Sequence, residues 1–572
     1  MIINRKLSDS LSSNAERLLV LATLTLGLIH AWAGRYSMQP DGISYLDVGD
    51  SFFRHDWANA VNAWWSPLYP WTIGIVLGIS KPSPKWEFPL VHVVNFAIFV
   101  ITLFTFRFFL HALLGFRRGQ TADAKSGGQV SLPDWAILLF AYPIFWWVAF
   151  EIETVYDVSP DLAVAACFFA TVGMLLRLRP GGKLWKFALL GLILGIGYWT
   201  KAVLFPLGFV CLGLGYWWRR RDHRWRAAMI VAAVVFLCVS APLILLLSRQ
   251  KGRFTFGDSG RVNYAWMVWP RTPARNWQGL EPDSGTPVHA TRQLMRHPPV
   301  FEFDGPVVGT YPPWTDPSYW NEGLRGHFRL KAQVEVFLAT VPSEVRLLLR
   351  DKPEVVVGVI VLALLSGYAW WLELGTIWPL IAISAIGMGV YLPLVENDRY
   401  IGGFLLVLFL LLIAAAQFPP QEQRAATYVA LAVFLVMAIG TADYTVRVLT
   451  SHYAIPGVGP SSTRQDAVAA EELWRLGVRP GDKIAVIADG TGAWWARLAK
   501  LRIVAEIMDM NHGSREFWNA PAEVKQNVYR AFVQAHATVV VSSCPSCPPE
   551  IPDGWQHIPG TPYCVRFLRT TQ

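Results

Sequence analysis

Long apolar stretches, separated by short polar connections, recur between residues 18 and 447. A membrane-spanning helix needs about 20 mostly apolar residues, and many of these stretches approach that length. Of the 572 residues, 53% are hydrophobic and 16% are charged, whereas roughly a quarter are charged in soluble domains. The pattern therefore predicts an α-helical polytopic membrane protein.

The apolar stretches predict about eleven membrane-spanning helices. They cover residues 18–33, 90–110, 133–150, 161–177, 187–200, 202–218, 227–247, 354–372, 376–394, 401–417 and 425–447. Residues 187–218 have a second interpretation, as one long span. The first segment also fits a cleaved signal peptide, since Ala31-Trp32-Ala33 has a small-x-small pattern, but its long leader favours a retained helix.

Basic residues occur in bursts between the spans, and such bursts are retained on the cytoplasmic side of a membrane. The bursts within 107–125, 177–186 and 219–226 fall on one side of the predicted spans. We therefore expect the outer loops 35–89, 151–160 and 248–353, together with the tail from 448, to lie on the non-cytoplasmic side of the membrane. The net charge of +9 reflects this topology and does not indicate a nucleic-acid partner.

The chain divides into a predicted transmembrane domain, residues 1–447, and an extracytoplasmic α/β domain, residues 448–572. Loop 248–353 is rich in Pro, Gly and Trp, so we expect an irregular cap there. The tail pattern predicts helices at 464–476, 493–500 and 522–535 and strands at 483–488, 502–507 and 538–542. This alternation indicates a small domain with a largely parallel sheet.

Acidic residues in two outer loops are the first candidates for chemistry. Asp41 follows the first span, where a carboxylate can take a proton from an acceptor hydroxyl. The alternative is that Asp41 caps a short helix running from Gly42. In the second outer loop, Glu151, Glu153, Asp157 and Asp161 fall close together. Asp161 also fits an ordinary helix start, since it follows Pro160 and opens the next span.

Two basic residues beside spans are candidates for anion binding. Lys201 lies between two short apolar segments, and a lysine in a membrane segment indicates function unless its amine reaches the headgroups. Arg399 belongs to the polar turn 396–400, between two late spans, and arginine suits bidentate binding of phosphate. The alternative is a salt-bridged turn without a ligand, formed through Glu396 and Asp398.

The order of these motifs between residues 18 and 415 resembles the GT-C superfamily of membrane glycosyltransferases. The chain is similar to bacterial lipopolysaccharide-core transferases, aminoarabinose lipid A transferases and protein O-mannosyltransferases. In that family the acid of the first outer loop is the proposed base, which corresponds to Asp41. Many members have an acidic pair there, whereas Gly42 follows Asp41 here. We expect no cofactor, and a divalent metal stays an open alternative.

The resemblance implies a glycosyltransferase that moves a sugar from a polyprenyl-phosphate donor to a lipid, glycan or protein acceptor on the outer side, with inversion. Asp41 would act as base, and Asp161 and Glu153 would position substrates. The expected donor-phosphate ligands are Lys201, Arg399 and Tyr400, and the expected substrate-binding rings are Tyr45, Trp64, Trp65 and Tyr69. The alternatives are a flippase for lipid-linked glycans and a non-catalytic envelope assembly protein.

Two weaker motifs lie in the tail. Residues 489–492 (Asp-Gly-Thr-Gly) resemble a nucleotide-binding turn but lack the third glycine, so a plain tight turn is favoured. Cys544 and Cys547 fit a zinc half-site, a redox pair or a disulfide. A structural disulfide is favoured, because the expected compartment is oxidising and no second Cys-x-x-Cys occurs.

Overall fold

The computed structural model describes residues 2–123, 128–392, 394, 397–453, 461–508, 513–543 and 554–568. Its helices are Ile2–Ala33, Pro40–Phe53, Trp57–Ala60, Leu68–Ser80, Pro84–Asp123, Asp134–Trp147 with the π-helical turn Val148–Ile152, Asp161–Arg177, Leu184–Thr200, Leu204–Trp218, His223–Lys251, Ser259–Met267, Pro312–Thr315, Pro317–Trp320, Leu330–Arg346 with the π-helical turn Leu347–Asp351, Pro353–Ser366, Tyr368–Gly389, Gly402–Ala414, Gln423–Tyr453, Ser461–Arg475, Trp494–Leu498, Gly513–Asn519 and Ala522–Gln534, together with 3-10 turns at Asp398–Tyr400 and Gly490–Gly492. Its strands are Val130–Ser131, Arg292–Arg296, Pro299–Glu302, Gln417–Phe418, Lys483–Ile487, Arg502–Ile507, Val539–Ser543, Gln556–His557 and Tyr563–Phe567.

Within these described ranges, six helices are long and apolar enough to cross a membrane, and shorter apolar helices accompany them. Residues 184–218 form two helices, Leu184–Thr200 and Leu204–Trp218, so the interpretation of this region as one continuous helix is wrong. The predicted boundary between spans 354–372 and 376–394 is wrong. The break lies at Gly367, whose φ of 57° is a left-handed value that favours glycine.

The tail strands belong to a mixed sheet with strands from loop 248–353. Lys483–Ile487 runs parallel to Arg502–Ile507 on one side and to Val539–Ser543 on the other. Tyr563–Phe567 extends one edge antiparallel, and Pro299–Glu302 extends the other. The prediction of a largely parallel sheet therefore holds for its three central strands. The prediction of an irregular cap is wrong for residues 292–302.

Alternating residues of the central strand explain how the sheet is covered. Ile484 and Val486 are buried on the face that also packs on helix Ser461–Arg475 and on the first outer loop. Ala485 and Ile487 are buried on the opposite face, against helix Ala522–Gln534. Because side chains alternate along a strand, the short apolar run packs two layers at once. One hydrophobic core includes residues of the tail and of the first outer loop. The division into domains between residues 447 and 448 therefore stays a prediction.

A buried group of charges fastens the tail to the first outer loop. The Nη1 atom of Arg497 lies 2.8 Å from Asp47 Oδ1 and 2.7 Å from Asp50 Oδ2, and its Nε lies 2.8 Å from Glu87 Oε1. Lys500 Nζ lies 2.7 Å from Glu87 Oε2. These five residues are called the tail cluster below. Breaking such a buried pair leaves an uncompensated charge, so the cluster makes the docking of the tail specific.

Two glycines bring the helices of the first outer loop together. Helix Pro40–Phe53 packs closely on helix Leu68–Ser80. A Cβ atom at Gly74 would lie 2.1 Å from the carbonyl oxygen of Gly49, and a Cβ at Gly49 would lie 2.5 Å from that of Pro70. Any larger residue would force the two backbones apart. This contact sets the position of helix Pro40–Phe53, which carries Asp41 at its first turn.

Candidate active site

A cavity of about 660 Å³ opens between the first outer loop, the tip of the 184–218 hairpin and loop 248–353. Several distant parts of the sequence contribute its walls. The charged and hydroxyl-bearing lining residues used below are Asp41, Tyr45, Asp161, Lys201, Arg253, Asp258, Arg261, Tyr391, Arg399 and Tyr400. Indole rings from Trp64, Trp65, Trp266 and Trp314 form much of the rest. The cavity therefore combines an aromatic wall with a concentrated set of charges.

Asp41 lies in the first turn of helix Pro40–Phe53 and points to the cavity. The N-cap is Gln39, which makes no side-chain capping bond, so the alternative interpretation, in which Asp41 caps a helix from Gly42, is wrong. Asp41 Oδ2 accepts a hydrogen bond from Arg399 Nη2 at 2.8 Å. Asp41 Oδ1 accepts one from Trp314 Nε1 at 3.2 Å. Its two oxygens are thus held by a guanidinium and an indole from separate parts of the chain.

Arg399 lies in the turn before helix Gly402–Ala414 and reaches several partners. Besides Asp41, its Nη1 donates to Gln39 Oε1 at 2.8 Å and its Nη2 to the Tyr400 hydroxyl at 3.1 Å. Its Nε lies 3.6 Å from Asp161 Oδ2. Burial acts to lower the pKa of Arg399, but the Asp161 carboxylate and the neighbouring Tyr400 and Asp41 raise it above its ordinary value. The guanidinium therefore stays charged.

Lys201 and Asp161 form the second ion pair of the cavity. Lys201 Nζ lies 2.6 Å from Asp161 Oδ1 and 3.8 Å from the centre of the Tyr400 ring. Asp161 begins helix Asp161–Arg177, as the pattern predicts, and its side chain also pairs with the lysine. The pair therefore places the Lys201 amine in the cavity wall, directly against a carboxylate.

Asp41, Asp161, Lys201 and Arg399 are called the cavity cluster below. Its members come from four separate polar segments of the sequence, and all four line the cavity. Two carboxylates face two cations, so the formal charge of the cluster is zero. Arg399 links the two pairs, since it lies against both acids. A group that binds Arg399 will therefore change the pairing of both acids.

The predicted aromatic residues divide into two sets. Tyr45, Trp64 and Trp65 line the cavity. Tyr69 does not line it: its ring packs against Tyr45 with centroids 5.1 Å apart, and its hydroxyl donates to Asn95 Oδ1 at 2.7 Å. Tyr69 therefore supports the wall from behind. The expectation that it contacts substrate finds no support in this geometry.

Trp266 and Tyr391 line the cavity, and the sequence did not identify them as candidates. Trp266 stacks on Trp314, with ring centroids 5.9 Å apart and planes inclined by 14°. Tyr391 lies in the wall, 5.0 Å from the ring of Tyr400. Trp266 is one of 27 tryptophans, and many tryptophans mark the membrane interface, so its residue type carries little signal. Its role follows from the short helix Ser259–Met267, which the sequence pattern did not predict.

Glu153 lies behind the cavity cluster and outside the cavity lining. It is buried, and its Oε1 accepts the backbone N–H of Gly403 at 2.6 Å. Within the described part of the chain, its Oε2 has no hydrogen-bond partner. Burial, together with the nearby Asp161 carboxylate, raises the pKa of Glu153 well above its ordinary value. Glu153 is thus placed to support helix Gly402–Ala414, and it does not reach the cavity.

Other candidates are accounted for elsewhere. Glu151 pairs with Lys352, 2.9 Å away. Asp489 accepts the backbone N–H of Thr491 at 2.9 Å and pairs with Arg275, as expected of a tight turn. Glu396, Cys544 and Cys547 lie outside the described residues. Within the ranges that the structure covers, no group of three or more His, Cys, Asp and Glu side chains is placed to hold a metal ion.

A second charged group lies at another part of the cavity wall. Arg253 Nη2 lies 2.5 Å and Arg261 Nη2 3.4 Å from the same oxygen of Asp258. Burial acts to raise the pKa of Asp258, but the hydrogen bond from Arg253 and the charge of Arg261 bring it below its ordinary value. The backbone N–H of Asp258 donates to the carbonyl of Ala63 at 2.6 Å. This group therefore joins loop 248–353 to the first outer loop.

Comparison with solved structures identifies the fold. ArnT from Cupriavidus metallidurans, bound to undecaprenyl phosphate, has a TM-score of 0.51 with this chain at 12% sequence identity, over 97% of this chain and 98% of that chain. The apo state of ArnT gives a TM-score of 0.39 at 15% identity, over 93% of each chain. The Archaeoglobus fulgidus oligosaccharyltransferase, tethered with an acceptor peptide, gives 0.43 at 10% identity, over 91% of this chain and 69% of that chain. Scores below 0.5 support no conclusion.

No family model matches the chain, and no curated protein matches its sequence. At 12% identity, the ArnT similarity establishes the fold alone. The shared fold agrees with the predicted architecture of several apolar helices followed by a sheet-containing region near the C-terminus.

Proposed function

We propose that this chain is a glycosyltransferase that moves a sugar from a polyprenyl-phosphate donor to an acceptor hydroxyl on the outer side of the membrane. The observation that supports this most is the cavity cluster. One cavity of about 660 Å³ holds two cations able to bind a phosphate and, 2.8 Å from one of them, a carboxylate able to take a proton. Sugar transfer needs both kinds of group: cations that bind the leaving phosphate, and a carboxylate that takes the proton from the acceptor hydroxyl.

The donor phosphate is assigned to Lys201 and Arg399. Arginine binds phosphate oxygens with two parallel N–H groups, and lysine adds a point charge. Tyr400 lies against both side chains and fixes their spacing. As the bond between the sugar and the phosphate breaks, negative charge grows on the phosphate oxygens. Two fixed cations at that place stabilise it, which lowers the barrier to transfer.

Asp41 is assigned as the base that deprotonates the acceptor hydroxyl. Its side chain keeps 18% of its surface exposed, whereas that of Asp161 keeps 3% and contacts Lys201 at 2.6 Å. A base must lie within hydrogen-bond reach of the proton that it takes. Asp41 lines the cavity, where an acceptor hydroxyl can reach it. Asp161 is nearly fully buried against Lys201 and is therefore assigned to hold that lysine. Attack from the face opposite the phosphate inverts the anomeric carbon.

The remaining walls suit a sugar with a lipid carrier. Tyr45, Trp64 and Trp314 present ring faces and edges close to the cluster, and flat rings pack well against the apolar faces of sugars. The fold is shared with ArnT, whose structure was obtained with undecaprenyl phosphate. The proposed partners are therefore a polyprenyl-phosphate sugar, membrane lipids and a lipid, glycan or protein acceptor. The proposed location is the bacterial inner membrane, with the cavity on the periplasmic side.

Binding of undecaprenyl phosphate tests the donor-phosphate assignment. Purified protein in lipid nanodiscs is titrated with this lipid, and Lys201→Ala and Arg399→Ala are compared with Lys183→Ala and Arg424→Ala, which remove exposed cations elsewhere. We expect at least a tenfold loss of affinity for each cavity variant, since hydrogen bonds to charged groups contribute about 1.5–3 kcal/mol. The control variants should bind like wild type. Unchanged affinity in both cavity variants, with intact folding, would falsify the assignment.

A flippase of lipid-linked glycans remains the second candidate, because it too would bind the carrier phosphate. The binding experiment does not separate the two. Release of polyprenyl phosphate from a sugar donor does, because transfer breaks the bond between the sugar and the phosphate and transport leaves it intact.

A further inference from the structure

The segment 325–351 of the third outer loop has a surface that the cavity chemistry does not use. It begins with an exposed stretch, residues 325–331, and continues as helix Leu330–Arg346 and the turn Leu347–Asp351. The helix leads, through Lys352, directly into the apolar helix Pro353–Ser366. We call residues 325–351 the surface segment.

One face of the surface segment packs on the protein and the opposite face is apolar and exposed. Ala332, Thr340 and Leu347 are buried, each at most 8% exposed. Large apolar residues, most of them three, four or seven positions apart, are exposed at Leu330, Val334, Phe337, Leu338, Val345 and Leu349. At 3.6 residues per turn, they form a stripe on the side of the helix away from its protein contacts. Leu330 and Leu338 keep 67% and 65% of their surface exposed.

The stretch before the helix is basic and aromatic. Arg325, Arg329 and Lys331 are exposed cations, His327 is exposed between them, and residues 325–334 contain no acid. Arg329 lies over the ring of Trp269 and pairs with Asp283, yet about half of its side chain remains exposed. Phe328 is 71% exposed. Cations beside an exposed apolar stripe are typical of helices that lie in the headgroup layer of anionic membranes.

We propose that the surface segment lies along the membrane surface and binds the headgroups of anionic phospholipids, with its apolar stripe in the acyl boundary. Charge complementarity with the basic stretch argues for anionic lipid. The direct continuation into the apolar helix Pro353–Ser366 places the stripe next to the bilayer. This interaction does not depend on the proposed transferase reaction. It would hold loop 248–353, including its helix Ser259–Met267, at a fixed height above the membrane.

Hydrogen exchange of the full chain in nanodiscs tests this inference. We compare phosphatidylcholine alone with phosphatidylcholine mixed with phosphatidylglycerol. Amides in 325–351 should exchange about fivefold more slowly in the anionic nanodiscs, since one basic residue at an anionic surface contributes on the order of that factor. Strands Lys483–Ile487 and Arg502–Ile507 should exchange equally in both. Added salt should abolish the difference, because it screens exposed charges.

Paired variants show whether slower exchange of the surface segment comes from binding of anionic lipid or from a change in the structure of the protein. Arg325→Gln with Lys331→Gln should remove the difference between the two lipids, whereas Arg515→Gln with Arg530→Gln, on the tail surface, should preserve it. Phe337→Gln with Leu338→Gln should speed exchange of the segment in both lipids, because the stripe no longer inserts. Equal exchange of the wild type in both lipids overturns the inference. So does protection that follows protein concentration instead of lipid charge, because a second copy would then cover the stripe.

Discussion

Helix Pro40–Phe53 carries two buried ion clusters that have the same chemistry and different surroundings. At its start, Asp41 meets Arg399 in the cavity cluster. At its other end, Asp47 and Asp50 meet Arg497 in the tail cluster. The Arg497 side chain is 3% exposed, whereas that of Arg399 is 13% exposed and lines a cavity.

The difference shows why an ion pair alone does not mark a functional site. The tail cluster has three carboxylates for two cations, so it carries a formal charge of −1 and repels an incoming anion. Burial acts to raise the pKa of Asp50, but Arg497 brings it below its ordinary value. The cavity cluster is neutral and accessible, so a phosphate can join its cations. Charge balance and access to the cavity, more than residue type, distinguish the two.

The largest effect expected is on stability, from Arg497→Gln. This change leaves Asp47, Asp50 and Glu87 without their shared cation. Asp47 and Glu87 are buried, and breaking a buried pair costs about 3–5 kcal/mol. The unfolding transition, measured by calorimetry or denaturant, should move strongly. Turnover per folded molecule should change little, and Arg497→Lys should recover part of the stability. A stable but inactive Arg497→Gln protein would contradict this assignment, because the tail cluster would then affect turnover and not stability.

Arg399→Lys tests the cavity cluster with the charge retained. Lysine cannot reproduce the fork that reaches Gln39, Asp41 and Tyr400 together. We expect turnover at saturating donor to fall about a hundredfold, the size seen when one stabilising donor is removed from an active site. Thermal stability should stay within about 1 kcal/mol of wild type, since a cation remains. Wild-type turnover would contradict the phosphate assignment.

A smaller effect is expected from Trp314→Phe, which keeps a ring against Trp266 and removes the N–H that reaches Asp41. Loss of one hydrogen bond to a carboxylate should lower kcat/KM about tenfold. The matched control is Trp320→Phe, because the indole of Trp320 donates to the carbonyl of Pro312 at 2.9 Å and not to the cluster. Equal losses in both variants would show that Trp314 acts through packing alone.

The smallest effect on turnover is expected from a group that gives the stability of the tail a pH dependence. Burial raises the pKa of Asp466 from 3.8 to about 7, against the opposing hydrogen bond from Tyr563. A carboxyl with a raised folded-state pKa gives its full stability below the unfolded pKa and loses it as the pH rises through the folded value. The tail should therefore lose stability between pH 4 and pH 7. Asp466→Asn should reduce that slope, measured by exchange of strand Lys483–Ile487, and leave turnover unchanged.

Much of the membrane architecture follows from local composition. Apolar length and the basic bursts predicted the 184–218 hairpin, and the cost of a lysine in a membrane segment identified Lys201. Its partner Asp161 is predicted either to position a substrate or to begin a helix. Its pairing with Lys201 is not predicted, because the two residues lie 40 positions apart in the sequence. The ion pair depends on how helix Asp161–Arg177 packs against the hairpin.

Features that depend on contacts between residues far apart in the sequence could not be predicted from local composition. Strand Arg292–Arg296 lacks an alternating apolar pattern, and its place at the sheet edge depends on Pro299–Glu302 and the tail. Arg497 lies in a short helix whose sequence gives no sign of the three acids that surround it. Trp266 similarly requires the folded outer loop. In each case the partner lies far away in the sequence, and the contact exists only in the assembled structure.

Donor turnover by two matched variants of the same helix tests the central claim most directly. Wild type, Asp41→Asn and Asp47→Asn are reconstituted in lipid with a panel of polyprenyl-phosphate sugars and a membrane extract as acceptor, and released polyprenyl phosphate is measured per folded molecule. We predict turnover by wild type and Asp47→Asn, and at least a hundredfold loss in Asp41→Asn, the range for removal of a general base. Wild-type turnover by Asp41→Asn would contradict the account and move the base to another acid of the cavity.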